Sequence, residues 1–195
     1  MSNERHQGIA IRRLLERLGA CPEAVEWASQ KESVYQLWYD CPDPEWLLVA
    51  FKILGLRRDT SLRPFAIGCA KRQKSLFAHG RLIEILNTAE EYATKSSARI
   101  VDFSLMHEES LRIADDIART QDWNALRHSA IRCACDALRD HPWFSALRAS
   151  RNGLRASDNA IAEAKWQVCQ LQMLAAPNLN RVADRATRLL HRAGK

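Results

Sequence analysis

Four side chains of the kinds that bind zinc lie within fourteen residues of the chain: His128, Cys133, Cys135 and His141. Structural zinc sites usually hold cysteines and histidines as two close pairs, each spanning a turn. Here the two cysteines are two residues apart in a predicted helix, so their side chains point about 200° apart and cannot easily share one ion. We therefore interpret them as core cysteines accompanied by surface histidines, and we predict no metal site.

Two cysteines precede prolines where helices are predicted to begin, Cys21 before Pro22 and Cys41 before Pro42. A helix N-terminus lowers the pKa of a thiol and can make it a nucleophile. Neither cysteine has a histidine close in sequence that could act as a base. The favoured interpretation is a buried cysteine at a cap position, with a reactive thiol as the alternative.

Sequence motifs that carry catalysis are absent or incomplete. His107-Glu108 begins like the helical zinc motif of metalloproteases, but the position of the second histidine is occupied by Leu111. The sequence also lacks a phosphate-binding glycine loop, a dinucleotide fingerprint and a nucleophilic serine elbow. We therefore expect that the protein is not an enzyme, that it has no catalytic residues and that it uses no cofactor.

Arginines recur at spacings of four, three and four along the last predicted helix, which places them on one face. This C-terminal row comprises Arg181, Arg185, Arg188 and Arg192. Like charges at that spacing destabilise an isolated helix by a few tenths of a kcal/mol per pair, so the row needs a reason. An acidic partner surface or a phosphate backbone would supply one, whereas solvation or pairing with carboxylates elsewhere in the fold is the alternative. Arg148, Arg151 and Arg155 would extend the same partner-binding patch if they fold nearby.

The elements that must position these residues are predicted to be helices throughout. Apolar residues recur with helical periodicity, and no stretch of useful length alternates as a half-buried strand does. Asp43-Pro44-Glu45 is the clearest helix start, with a capping acid, a preorganising proline and an acid in the first turn. We predict an all-α fold, a compact bundle of about eight to ten helices in one domain over 1–195, with 1–60 as a candidate sub-lobe.

Several helix boundaries follow from local signals alone. One helix is expected from Ser61 to about Phe77, and Asp122 is expected to cap the helix that ends near Leu138. Asn152-Gly153 is typical of a turn, and Ser157 or Asp158 would cap the long helix that follows. The last helix is predicted over 178–192.

Composition excludes several classes of protein. The formal charge of +6 is unevenly placed, with nine basic and three acidic residues from Arg148 to Lys195. No apolar run approaches the roughly 20 residues of a membrane span, and the first residues show no signal peptide. We therefore expect a cytoplasmic protein without membrane contact, in which the six cysteines are reduced and mostly buried.

Tryptophan is unusually frequent, with six residues. Core packing is the default for such side chains, and an exposed tryptophan beside arginine would instead mark an interface. Two of the tryptophans follow the cysteine–proline helix starts: Trp27 follows Cys21-Pro22, and Trp46 follows Cys41-Pro42. This echo suggests a paired-helix unit used twice.

Residues 14–100 contain a pattern of cysteine, tryptophan and alanine with a known counterpart. The pattern comprises Leu18-Gly19-Ala20-Cys21, Ala24, Trp27, Trp38, Cys41, Pro44, Trp46-Leu47-Leu48, then residues 62–72, then Ala89-Glu90-Glu91-Tyr92-Ala93. It resembles a poorly characterised group of bacterial and phage all-helical proteins, some of which are called immunity proteins. The C-terminal half departs from that group in being richer in arginine. The resemblance implies an all-helical interaction protein.

Two functions are consistent with these observations. The first is a non-enzymatic protein that binds and inhibits or neutralises a partner protein with an acidic surface, as an immunity protein or a phage antagonist of a host nucleic-acid-handling defence complex would. The second is a nucleic-acid-binding protein that uses the arginine face of the last helix. The sequence does not select an oligomeric state.

Overall fold

The computed structural model describes residues 11–17, 19–53, 55, 60–77, 79–94, 103–120 and 124–176, together with 184 and 188. These residues form helices and no strand, which confirms the all-α bundle. The helices are α1 (11–17), α2 (Pro22–Ser29), α3 (Val34–Tyr39), α4 (Pro44–Ile53), α5 (Leu62–Arg72), α6 (Lys74–Phe77), α7 (Gly80–Thr94), α8 (Phe103–Thr120), α9 (Ala125–Ala137), α10 (Pro142–Ala156) and α11 (Ala160–Ala175).

The start of α4 forms as its local sequence predicts. The Asp43 carboxylate accepts hydrogen bonds from the backbone N–H groups of Glu45 at 2.7 Å and Trp46 at 3.3 Å. These are two of the N–H groups that a helix start leaves without a partner. Pro44 occupies the first helical position, where its missing N–H costs nothing and its fixed φ suits the helix.

Other boundaries differ from the expectations. The helix expected from Ser61 to Phe77 divides at Gln73, whose backbone leaves the helical region, and Ser61 makes no side-chain cap. The caps of α9 and α11 are Asn124 and Asn159, whose side chains accept from backbone N–H groups at 2.8 and 3.0 Å. They replace the predicted caps Asp122, which lies outside the described residues, and Ser157 or Asp158.

The turn predicted at Asn152-Gly153 is wrong, because both residues lie inside α10. Gly153 is buried, and a Cβ there would come within 3.3 Å of the Gln167 amide nitrogen and 3.6 Å of the Cys133 sulfur. The glycine is therefore present for close packing of helices rather than for a change of chain direction.

The core centres on α5, α9 and α10, which pack on one another through small side chains. Ala137 and Cys133 on α9 lie opposite Ser145 and Ala149 on α10, so these two helices run antiparallel. Further small buried residues line the same contacts: Ala66, Cys69, Ala70, Ala130, Ala134, Ala146 and Ser150. Short side chains let helix axes approach closely, which explains the tight central group.

The N-terminal helices are joined to this core by a few long-range hydrogen bonds. The indole N–H of Trp143 on α10 donates to the carbonyl of Leu48 on α4 at 2.6 Å. The amide of Gln172 on α11 donates to the carbonyls of Trp38 and Tyr39 at the end of α3. None of the described helices has the length and apolar character that crossing a membrane requires.

Candidate functional site

Three arginines predicted to contact a partner lie on α10 and form the α10 row: Arg148, Arg151 and Arg155. Their spacing of three and four residues places them along one side of the helix, over about 10 Å. All three are exposed. Arg148 and Arg155 make no ion pair with any residue that the structure describes, so two guanidinium groups of the row face solvent uncompensated.

The middle arginine of the row is held by a carboxylate from α4. Arg151 donates two hydrogen bonds to Glu45, one of them from Nε to Oε2 at 2.7 Å, and these bonds raise the pKa of Arg151 above its ordinary value. A two-bond arginine–carboxylate pair fixes both side chains more firmly than a single contact does. Lys52, near the other end of α4, lies 4.9 Å from the Trp143 ring at the start of α10, so α4 and α10 run antiparallel.

Only part of the C-terminal row can be placed. Arg188 is exposed, as is the neighbouring acid Asp184. Arg181, Arg185 and Arg192 lie outside the described residues, as does most of the predicted helix 178–192. Of the seven predicted partner-binding arginines, the structure therefore brings together the three on α10.

A second feature, which the sequence analysis did not predict, is a cavity of about 450 Å³ among the N-terminal helices. Its walls come from α1, α2, α3 and α4 and are mainly apolar. They include Leu14, Leu15, Ala24, Trp27, Leu37, Trp38, Trp46, Leu47, Val49 and Ile53. The volume falls in the range of roughly 300–1,000 Å³ that small-molecule sites occupy, and a mainly apolar wall with a few polar groups is typical of such sites.

Two of the cavity's tryptophans pack on each other. The rings of Trp27 and Trp46 are 5.6 Å apart between centroids and tilted by 43°. Both are half-buried, and the Lys31 ammonium lies 5.1 Å from the centroid of the Trp27 ring, where it is attracted to the ring's electrons. The pair thus presents a broad aromatic wall, and a cation from the chain itself already contacts Trp27.

The third tryptophan of the cavity has a hydrogen-bond donor without an acceptor. Trp38 is only 3% exposed, and its indole N–H contacts no acceptor among the described residues. A buried donor left unpaired costs about 1–3 kcal/mol. Trp143, the other buried tryptophan among the described residues, does place its N–H on a carbonyl. The Trp38 N–H is therefore a buried neutral donor that the described residues leave unsatisfied.

Among the described residues, the charged side chains that line the cavity are two acids, Asp43 and Glu45. Each carboxylate is fixed by bonds already described, one to the start of α4 and one to Arg151. The thiol of Cys41 also lines the cavity, and burial raises its pKa to about 11, so it is neutral at ordinary pH. No lysine or arginine of the described chain lines this wall.

The cysteines are free thiols, and four of the six are buried as expected. Cys21 departs from the expectation of a buried cap, because it is exposed beside the cavity that it lines, and its side chain makes no cap bond. The sulfurs of Cys133 and Cys135 donate to different carbonyls, those of Ala149 and Ser110. The described residues contain no cluster of three or more groups that could hold a metal ion.

One sequence pattern could have indicated the cavity. The two cysteine–proline helix starts, each followed by a tryptophan, bring Cys21, Trp27, Cys41 and Trp46 to a single cavity. The two segments that repeat this pattern in the sequence therefore also lie together in the structure. The unpaired N–H of Trp38 has no sequence signal, because it depends on how α3 meets its neighbours.

Comparison with known protein families, with curated proteins and with solved structures finds no match for this chain. The resemblance of residues 14–100 to the bacterial and phage group therefore stays a prediction.

Proposed function

We propose that this chain is a non-enzymatic interaction protein that docks an acidic surface of a partner protein on the α10 row and thereby inhibits or neutralises that partner. The observation that carries the proposal is the pair of exposed arginines, Arg148 and Arg155, that have no carboxylate partner in the described part of the chain. Arginine forms two-bond contacts with carboxylates, so such a pair suits acidic side chains of a partner.

The rigidity of the row also supports docking. α10 is a central helix whose inner face is buried against α5 and α9, and Arg151 is fixed by Glu45. Binding through side chains on a firmly packed helix loses less conformational entropy than binding through a mobile segment. The backbone beneath the row is therefore preorganised for a partner surface of matching charge, although only the side chain of Arg151 is itself fixed.

A protein partner fits the row better than a nucleic acid does. Proteins that bind duplex DNA typically neutralise several phosphates along the backbone, and the duplex carries one negative charge per roughly 1.7 Å. The α10 row is only about 10 Å long. Its middle arginine is already paired with Glu45, so only two guanidinium groups are left to contact phosphates. Carboxylates of a folded partner can be spaced to contact Arg148 and Arg155 and avoid Glu45.

The test compares two charge reversals of equal size. Arg148→Glu/Arg155→Glu reverses the row, and Arg17→Glu/Arg112→Glu reverses two exposed arginines on α1 and α8. Tagged wild type and both variants are used as bait in nuclease-treated lysate of the native host. We expect one stoichiometric protein to be retained by wild type and by the α1/α8 variant, and lost by the row variant.

The difference in partner retention between the two variants decides whether the α10 row is the docking surface. Equal loss with both variants would show that total charge matters and the row does not, and recovery of no stoichiometric protein would contradict the proposal. The purified partner should bind more weakly as salt rises, because exposed ion pairs are screened.

Nucleic-acid binding through the C-terminal row is the second candidate, and the exposure of Arg188 without an ion pair to any described residue favours it. It predicts that the protein shifts duplex DNA or RNA at low salt, with an affinity that falls steeply as salt is added. Arg185→Glu/Arg188→Glu should abolish that shift. A wild-type protein that shifts neither nucleic acid at low salt would exclude this function.

A further inference from the structure

The solvent-facing side of α10 carries an aromatic residue in line with its arginines. Phe144, Arg148, Arg151 and Arg155 are the exposed residues of this helix, and all its others are buried or half-buried. Their spacing of four, three and four residues keeps them within about 60° of one another around the helix axis. Phe144 therefore continues the α10 row by one turn toward the start of the helix.

The ring of Phe144 is ordered by its neighbours although its exposed fraction is 50%. It lies 5.3 Å from the His141 ring and 5.1 Å from the Trp143 ring, in a T-shaped arrangement with each. Trp143 is itself fixed by its hydrogen bond to the Leu48 carbonyl. A side chain that is already ordered loses little conformational entropy when a partner covers it.

The position of Phe144 distinguishes it from other exposed apolar residues. A single exposed apolar side chain, such as Leu105 on α8, is common on protein surfaces and indicates nothing by itself. Phe144 instead lies in line with Arg148 and Arg155, which pair with no carboxylate among the described residues. Aromatic residues and arginine are enriched at the centres of protein interfaces. The exposed face of α10 thus combines one apolar contact with two charged ones.

The spacing of the two free arginines selects a helix as the partner element. Arg148 and Arg155 are seven residues apart, which is about 10.5 Å along the helix axis. Carboxylates seven positions apart on a second helix have the same separation and lie on one face. Residues on one face of a strand are about 6.7 or 13.4 Å apart, which matches less well. A helix packed at about 20° to α10 stays in register over two turns.

We infer that the exposed face of α10 binds an acidic amphipathic helix of the partner protein. Two carboxylates of that helix, two turns apart, pair with Arg148 and Arg155, and an apolar side chain one turn further along covers Phe144. This inference rests on the docking proposed for the α10 row, and it adds the partner's secondary structure and its apolar contact. The same face of a second copy of the chain fits poorly, because it would bring arginine toward arginine.

The test uses short alanine-rich peptides, each with a side-chain staple that keeps it helical. Two matched peptides carry two glutamates seven positions apart and a leucine four positions before the first or after the second, for the two directions in which a helix can lie along α10. Misplaced peptides have the same composition with the glutamates five positions apart, on different sides of the helix. Binding is measured at low salt from the fluorescence anisotropy of the labelled peptide.

The tighter of the two matched peptides is titrated with five purified proteins. These are wild type, Phe144→Ser, Phe144→Leu, Leu105→Ser and Arg148→Glu/Arg155→Glu. Leu105→Ser is the matched control, because Leu105 is a large apolar residue that is 64% exposed and lies on another helix. All the substituted side chains are exposed, so we expect every variant to fold.

We expect the matched peptide to bind wild type, Phe144→Leu and Leu105→Ser alike. Phe144→Ser should bind it about tenfold more weakly, because the leucine of the peptide then loses its apolar contact. The arginine double variant should lose binding, since both charge pairs become repulsive. The misplaced peptide should bind wild type about fivefold more weakly than the matched one, because it can pair with only one arginine.

Separate outcomes would overturn the inference and the proposed docking. Equal binding by wild type and Phe144→Ser, with binding lost in the arginine variant, would overturn the inference and leave charge docking on the α10 row in place. Equal affinity of wild type for matched and misplaced peptides, which needs no substitution, would also overturn it, as would no measurable binding of either matched peptide. A duplex DNA that binds wild type more tightly than the matched peptide would assign the face to phosphates instead. The docking itself fails only if the lysate experiment yields no partner that depends on the row.

Discussion

Two buried tryptophans of this protein differ in hydrogen bonding because their neighbours differ. Trp38 and Trp143 are both buried, yet the N–H of Trp143 joins α10 to α4 through the Leu48 carbonyl, whereas that of Trp38 has no acceptor among the described residues. A buried donor that finds a carbonyl stabilises the fold, whereas one left without an acceptor costs about 1–3 kcal/mol. The indole of Trp143 therefore contributes a stabilising bond between α10 and α4, which the indole of Trp38 does not match among the described residues.

Residue burial also predicts how stability responds to alkaline pH. Burial raises the pKa of the Cys41 thiol from about 9 in the unfolded chain to about 11. Because the folded pKa is the higher one, this contribution is fully present below pH 9 and is lost as the pH rises from 9 to 11. Between pH 8 and 10.5, wild type should lose about 2 kcal/mol more unfolding free energy than Cys41→Ala does.

Urea unfolding at the two pH values measures this difference. Cys21→Ala serves as the control, because it removes a thiol that is exposed rather than buried. Lysine and tyrosine titrate in the same range, but they do so equally in all three proteins. Equal pH dependence in wild type and Cys41→Ala would contradict the assigned burial.

At the scale of the element, the start of α11 offers a test of cap choice. Three consecutive polar residues, Ser157, Asp158 and Asn159, could each cap this helix, and only Asn159 accepts from the backbone N–H of Ala162. Asn159→Ala should therefore cost about 1 kcal/mol of unfolding free energy, and Asp158→Ala less than about 0.5 kcal/mol. Chemical denaturation of both variants decides between them, and a larger loss in Asp158→Ala would assign the cap to that residue.

Helix boundaries with local sequence signals were predictable, whereas boundaries that depend on packing between helices were not. Asp43, Pro44 and Glu45 define the start of α4 by themselves, as the sequence predicts. Asn152-Gly153 has the local character of a turn, but both residues lie inside α10, where a Cβ on Gly153 would come within 3.3 Å of the Gln167 side chain. No local signal separates Asn159 from Ser157 and Asp158 as the cap of α11.

The candidate site was likewise predictable only in part. The structure places Arg148, Arg151 and Arg155 on one side of α10, whereas the turn predicted at Asn152-Gly153 would have separated Arg155 from the other two. That Glu45 would hold the middle arginine could not be read from sequence, because the two residues are 106 positions apart. The cavity depends on the relative placement of four helices, and its sequence signal is limited to the two cysteine–proline helix starts that each precede a tryptophan.

At the scale of the whole molecule, α11 connects the N-terminal helices with the central group. Near its end, Gln172 contacts the last carbonyls of α3. Near its start, Glu163 and Gln167 form a buried polar network with Arg72 on α5 and Ser150 on α10. Buried polar networks of this kind favour one arrangement of helices over others, because any shift leaves a group unpaired.

Removing either residue of the ion pair in this network should cost a different amount of unfolding free energy. Glu163 is 2% exposed, whereas Arg72 is 42% exposed and packs on the Trp166 ring. Arg72→Met removes the cation and leaves a carboxylate buried without a countercharge, which typically costs about 3–5 kcal/mol. Glu163→Gln leaves a guanidinium group that still reaches water, so we expect a loss of only about 1 kcal/mol.

A double-mutant cycle tests whether the buried carboxylate causes the loss of stability in Arg72→Met. The variant Arg72→Met/Glu163→Gln has no buried charge left in this network, so it should unfold at a higher urea concentration than Arg72→Met alone, even though it carries one more substitution. Such a recovery would show that the buried carboxylate, rather than lost packing of the Arg72 stem on Trp166, causes the instability. A double variant as unstable as the sum of the two single variants would contradict this account and would assign the role of Arg72 to packing.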